Sequence, residues 1–186
     1  MEQAMVERLR PDAGADDHSD GPSDAPVTLV IYGDYECPYT RRANDAVREV
    51  QGQLGDQLRF VFRHFPLTEI HPHAQRAAEA AGAAEAAGAA AGQDRFWEMH
   101  DHLFAHQRAL EEDDLSRYAA ELGLDAGRFD RDMVGSDLGE RIERDVESGL
   151  ESGVEGTPAL FINGRRHAGS YETGALGAAL TTAMRE

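Results

Sequence analysis

The chain has 186 residues, with 35 Asp and Glu against 18 basic residues, all of them arginine, and a formal net charge of −17. A polyanion would be repelled by this chain and no basic stripe offsets the repulsion, so a general nucleic-acid-binding role is excluded. With 41% hydrophobic residues and only 7 prolines, the chain suits one domain large enough to bury a core. No apolar run approaches the ~18 residues of a membrane span, so no membrane insertion is expected.

Met1 to Pro26 reads as a polar, largely flexible N-terminal segment (1–26). Asp12, Asp16, Asp17, Asp20 and Asp24 are interleaved there with Gly14, Gly21, Pro22 and Pro26, after a short helix expected at Gln3–Leu9. The segment lacks the basic start and apolar centre of a secretory signal. The chain as written is therefore expected in the cytoplasm, or outside it if it is a processed or excised domain. The acidic surplus reads as a solubility adaptation in preference to selection for basic partners.

Val27-Thr28-Leu29-Val30-Ile31-Tyr32 is a continuous apolar, β-branched run, the pattern of a buried strand. Pro38 stands at an expected first helical position, where a missing N–H costs nothing. Ala43, Ala46, Val47 and Val50 then recur at helical spacing until Gly52 and Gly55 break the helix. Leu58 to Phe65 is the next strand, stopped by Pro66. From Pro72 to Gly153 the pattern is helical throughout. Ala74 to Ala91 is alanine-rich, a strong helix former whose small side chains let helices approach, and Asp94 reads as the N-cap of a helix holding Phe96, Trp97, Met99, Leu103 and Phe104. Shorter amphipathic segments follow at Glu112–Leu122, Ala126–Met133 and Ser136–Gly149. Strand character returns at Pro158–Ile162, Asn163-Gly164 signals a hairpin, Arg165–Gly169 returns along it, and a last helix spans Glu172 to Met184. The order is β-α-β, a block of helices, then β-β-α.

Cys37 is the only cysteine, so no intramolecular disulfide can form. It lies in Asp34-Tyr35-Glu36-Cys37-Pro38-Tyr39-Thr40, a C-x-x-C-like turn beside a strand–helix unit in which Thr40 occupies the second cysteine's place. At a helix start a thiolate gains roughly 0.3–1 kcal/mol from the helix dipole; Glu36 and the net charge oppose this, and the Thr40 hydroxyl is a further candidate donor. His102 and His106 lie four apart and His71 and His73 flank Pro72. With no cysteine nearby and no H-E-x-x-H pattern, no metal site is expected, and the histidines read as solvated or capping. Arg63 and His64, at a strand end, are expected to meet solvent. Phe96, Trp97 and Met99 read mainly as core. Gly33 and Gly164 are turn residues, not parts of a phosphate loop.

Three separated motifs resemble the DsbA-like branch of the thioredoxin superfamily: Tyr32-Gly33-Asp34-Tyr35-Glu36-Cys37-Pro38-Tyr39; Phe62-Arg63-His64-Phe65-Pro66-Leu67 with His71-Pro72-His73-Ala74 and Phe96-Trp97-Glu98-Met99-His100; and Gly153 through Gly164, containing Glu155-Gly156-Thr157-Pro158-Ala159. The resemblance implies an α/β thioredoxin fold with a helical insertion. Its core would comprise residues 27–70 and 154–186, split by helices over 71–153. It further implies that Pro158 is a cis-proline facing Cys37 and that Thr157 offers its backbone to an extended substrate. Cys37 and Thr40 are then the catalytic positions, with Pro38, Tyr39, Thr157 and Pro158 binding substrate.

In dithiol relatives the position of Thr40 holds the resolving cysteine. Threonine cannot attack sulfur, so an external thiol must release the intermediate. DsbA-like domains fused to sodium/proton antiporters resemble this chain in having threonine there. The expected function is a thiol-disulfide oxidoreductase acting through one cysteine on a disulfide-containing protein or peptide. It would need no resident cofactor, and glutathione or another low-molecular-weight thiol would serve as co-substrate. Two alternatives stand beside it: a non-catalytic peptide-binding or regulatory module, and a kappa-type glutathione transferase or isomerase, whose relatives typically carry serine where Cys37 stands.

Overall fold

The computed structural model describes residues 7–90 and 95–186. Among them five strands form one sheet in the order β1-β3-β2-β4-β5: β1 His18–Asp20, β2 Val27–Gly33, β3 Leu58–His64, β4 Ala159–Ile162 and β5 Arg165–His167. β2 and β3 run parallel, with Leu29 opposite Phe60 and Ile31 opposite Phe62. The crossover between them is α1 (Pro38–Leu54). β4 returns antiparallel beside β2 and turns into β5. Asn163 and Gly164 make that turn with φ of 46° and 77°, the left-handed pair that a two-residue hairpin requires.

The helical block comprises α2 (Ala74–Ala90), α3 (Phe96–Ala105), α4 (Glu112–Glu121), α5 (Ala126–Val134) and α6 (Asp137–Glu151), and α7 (Thr173–Ala183) closes the described chain. The N-cap expected at Asp94 lies outside the described residues.

Alternation along the strands sends side chains to two cores. Val27, Leu29, Ile31, Phe60 and Phe62 pack beneath α1, α7 and the helical block with Leu103, Phe104 and Leu176. Val30, Tyr32, Val61 and Phe161 face the other way, against Leu9, Phe65 and Val154. Both faces are covered, which is why β2 reads as a continuous apolar run. Full burial of each large side chain contributes on the order of 1.5–3 kcal/mol.

The N-terminal segment corrects the sequence reading. Residues 7–20 run along the sheet, anchored at Leu9, Asp17 and β1, instead of trailing as a linker. Over the described part of the expected helix the backbone is extended: Arg8 bridges Arg165, the Leu9 N–H donates to Gly164 O at 2.9 Å, and Leu9 is buried; residues 3–6 lie outside the described residues. The chain then crosses to the opposite edge, where β1 pairs antiparallel with β3. β1 is too short and polar to show apolar alternation. Its place depends on distant partners, among them the His18 ring stacked 3.7 Å from Phe96.

Arg63 and His64 do not meet solvent; they are 3% and 1% exposed. Arg63 forks onto Asp17 at 2.8 and 3.0 Å and donates to the Tyr32 hydroxyl at 2.9 Å. Burial pushes the Asp17 carboxyl up, but the Arg63 hydrogen bonds, the Gly14 N–H and the charges of Arg63 and Arg141 outweigh it and hold it below its usual range. His64 is driven down to about 3 by burial and the Arg141 charge, while its backbone N–H donates to Asp145 at 2.9 Å.

Candidate active site

β2 ends at Gly33, and four residues later Cys37 is the N-cap of α1, extended at φ −72° and ψ 119°, with Pro38 in the first turn. The turn is held by Asp34. Its backbone carbonyl accepts from the Cys37 N–H at 3.1 Å. Its carboxylate accepts from the Glu36 N–H at 2.7 Å and the Leu67 N–H at 2.9 Å, and meets His71 Nδ1 at 2.8 Å. One buried side chain thus ties the cysteine turn to the loop after β3. An aspartate bonding the N–H two residues on is a turn signal, so the Glu36 contact was readable from Asp34-Tyr35-Glu36; the Leu67 and His71 contacts were not.

Cys37 is only 3% exposed, and its S–H points to the Thr157 carbonyl at 3.6 Å. The Thr157–Pro158 peptide is cis. The structure therefore brings Cys37, Pro38, Thr157 and Pro158 together across the fold. The Thr157 hydroxyl is buried without a hydrogen-bond partner among the described residues. Tyr39 lies outward, 57% exposed, with Arg42 6.0 Å above its ring.

Thr40 departs from the expected geometry. Its hydroxyl accepts from the Asp34 N–H at 3.4 Å, and no hydrogen bond from it to Cys37 occurs among the described residues. Its methyl closes over Gly33: an ideal Cβ built at Gly33 would lie 2.6 Å from Thr40 Cγ2. Thr40 packs the turn rather than solvating the thiol. Glu36 is also drawn off, since its carboxylate accepts from the His73 N–H at 2.7 Å. The first turn of α1 carries no acidic residue, so nothing on the helix itself cancels the positive end of its dipole at Cys37.

Two supports of the turn, His100 and Gln107, escaped the sequence reading. His100, expected to be solvated or capping, is wholly buried beneath it. Its Nε2–H donates to Asn44 Oδ1 at 2.8 Å, so Nδ1 accepts from the Tyr35 hydroxyl at 2.9 Å. Burial, then the Arg48 charge, hold this imidazole well below its ordinary range, and burial raises the Tyr35 phenol. Gln107 donates to the Tyr35 and Cys37 carbonyls at 2.7 and 3.0 Å. Tyr171, half-buried, is raised by burial and by the neighbouring Cys37, Glu172 and Tyr39, with Arg42 opposing. His18 is buried as well, paired with Glu85 at 3.1 Å. His106 caps as expected, donating to the His102 carbonyl at 2.8 Å on the surface.

Residues 14–181 match a family model described as thioredoxin. The Na(+)/H(+) antiporter NhaA 1 of Salinispora arenicola is 47% identical over 184 residues, which is 99% of this chain and 27% of that protein. The chain spans about a quarter of the length of the curated relatives it matches, 27% and 25% for two of them. Among solved structures, a thioredoxin-like oxidoreductase from Silicibacter pomeroyi superposes with a TM-score of 0.80 at 26% identity, covering 93% of this chain and 95% of that one. Wolbachia pipientis alpha-DsbA1 superposes with a TM-score of 0.75 at 17% identity, covering 93% of each chain; at that identity the likeness is one of fold. The family model spans nearly the whole chain, and the fold agrees with that of these structures: the chain belongs to the thioredoxin family.

Proposed function

We propose that the protein is a thiol-disulfide oxidoreductase working through one thiol. The observation carrying this reading is the setting of Cys37, at the N-cap of α1 and against the carbonyl preceding Pro158, with Thr40 one turn on. The Cys37 thiolate attacks a disulfide of a protein or peptide, forming a mixed disulfide and expelling the other sulfur as a thiolate. Thr40 has no sulfur, so an external low-molecular-weight thiol attacks the mixed disulfide and restores Cys37. Thr157 contributes backbone to an extended substrate, and Pro38 and Tyr39 flank it. The test is turnover of a mixed-disulfide or insulin substrate with added thiol. Turnover lost in Cys37→Ser is expected; no Cys37-dependent turnover with any thiol refutes the reading.

The 3% exposure of Cys37 favours a second reading, a peptide-binding module without turnover. It predicts peptide affinity that persists in Cys37→Ser. The antiporter relatives add a context to the proposal: a redox or binding domain that accompanies a cation transporter.

A further inference from the structure

A groove of about 840 Å³ opens beside Pro38, between the first turns of α1 and residues 105–109, and its arginines are Arg41, Arg42 and Arg108. Gln107 stands in the same wall and holds the Cys37 carbonyl at 3.0 Å, so the groove borders the backbone of the thiol-bearing turn. All three arginines are exposed. Among the described residues none of them has a carboxylate at ion-pair distance, whereas Arg48, Arg63, Arg76, Arg95 and Arg117 each hold one. Two acids also line the groove, Glu36, whose carboxylate accepts from the His73 N–H, and Asp45, against three arginines.

The chain carries a net charge of −17, yet charges beyond about 10 Å are largely screened at 0.1 M salt. Within the groove the three guanidinium groups outnumber the two carboxylates, which leaves a local positive excess, and their planar forks match carboxylates. The volume falls within the roughly 300–1,000 Å³ of small-ligand sites.

We propose that this groove receives the carboxylates of an anionic low-molecular-weight thiol, and that this thiol resolves the Cys37 mixed disulfide. The inference rests on the monothiol reading above. In the step, the thiolate R′–S⁻ attacks the substrate sulfur of Cys37–S–S–R. A new R–S–S–R′ bond forms as the Cys37–S bond to that sulfur breaks, the electron pair leaves on Cys37, and solvent supplies its proton. Sulfur oxidation is exchanged with no net gain or loss of electrons. The arginines hold the co-substrate beside the turn against the repulsion of an acidic protein.

The experiment uses protein carrying a Cys37 mixed disulfide with 2-mercaptoethanol, and follows the return of free Cys37 by mass after acid quench. The attacking thiols are glutathione, mercaptosuccinate, neutral 2-mercaptoethanol analogues and cationic cysteamine, each normalised to its rate with a small neutral disulfide. The two carboxylated thiols are expected to react about fivefold faster than the neutral ones, in keeping with two exposed ion pairs. The advantage should vanish in Arg41→Gln/Arg42→Gln/Arg108→Gln and shrink in 0.5 M salt. Equal normalised rates, or an advantage retained in the triple variant, overturn the inference and leave the monothiol reading standing. If no thiol releases Cys37, the monothiol reading falls. Titration with S-methylglutathione, which cannot exchange, then decides the groove by itself: arginine-dependent binding supports it as an anion site, and absence of binding removes it.

Discussion

Replacing Asp34 is the sharpest probe of how the cysteine turn is built. Its carboxylate is 1% exposed and receives the Glu36 and Leu67 N–H groups and His71 Nδ1, all within 2.9 Å. Asp34→Ala leaves two half-buried backbone donors without their acceptor and releases the imidazole. Half-buried, each donor falls toward the lower part of the roughly 1–3 kcal/mol of an unsatisfied buried group, so the expected loss is about 2–4 kcal/mol, a large part of the 5–15 kcal/mol that stabilises a typical domain. Asp34→Asn is the milder companion. Its carbonyl still accepts from Glu36, but its amide meets the Leu67 N–H donor to donor, so about 1–2 kcal/mol should go. Urea unfolding followed by circular dichroism measures both. Alkylation of Cys37 by iodoacetamide gives the functional counterpart: the thiol is buried by the turn, so it should react several-fold faster in Asp34→Ala under native conditions. Stability within 1 kcal/mol of the parent for Asp34→Ala, with unchanged alkylation, would refute the assignment of Asp34 as the organiser of the turn.

Stability should also fall with acid. His18, His64 and His100 are held neutral in the fold chiefly by burial but regain a pKa near 6.5 on unfolding, so by pH 5 the unfolded chain binds about three protons at these sites that the folded chain does not. Asp145, raised by burial to about 6, takes up a proton in the folded state over the same range and offsets part of this. The net is a loss of about 4 kcal/mol; a flat urea midpoint between pH 7 and 5 contradicts it. Breaking the buried Arg63–Asp17 fork with Asp17→Asn should cost about 3 kcal/mol or more, because a desolvated guanidinium is left under-paired. A change under 1 kcal/mol by urea unfolding rules that out. Thr40→Cys places a second sulfur one helical turn from Cys37, near enough for a disulfide. Thiol counting after mild oxidation should find none free, and two persisting thiols would speak against the position as a resolving site.

The reach of local reading is clear from particular elements. The apolar run Val27–Tyr32, Pro38 at a helix start and the Asn163-Gly164 turn each state their conformation within a few residues, because backbone preference and periodicity are short-range properties. The solitary sulfur is likewise a fact of composition, and it limits the chemistry before any coordinate is known. His-Ser-Asp at 18–20 carries no such signal, and its strand forms only because β3 presents an unpaired edge to it. Arg63 looked solvent-bound because its acceptors, Asp17 and the Pro11 carbonyl, lie in a segment that read as a linker.

By itself, then, the sequence determined the element order, the split core and a thiol with no partner of its own. Only the tertiary structure decided what surrounds that thiol. It set the Thr157 carbonyl against the sulfur, turned the Thr40 hydroxyl to Asp34, and slid His100 and Gln107 beneath the turn. Except for the Thr40–Asp34 bond within the turn, those contacts join residues far apart in the chain, brought together by how distant elements dock on the sheet, which no window of neighbouring residues encodes.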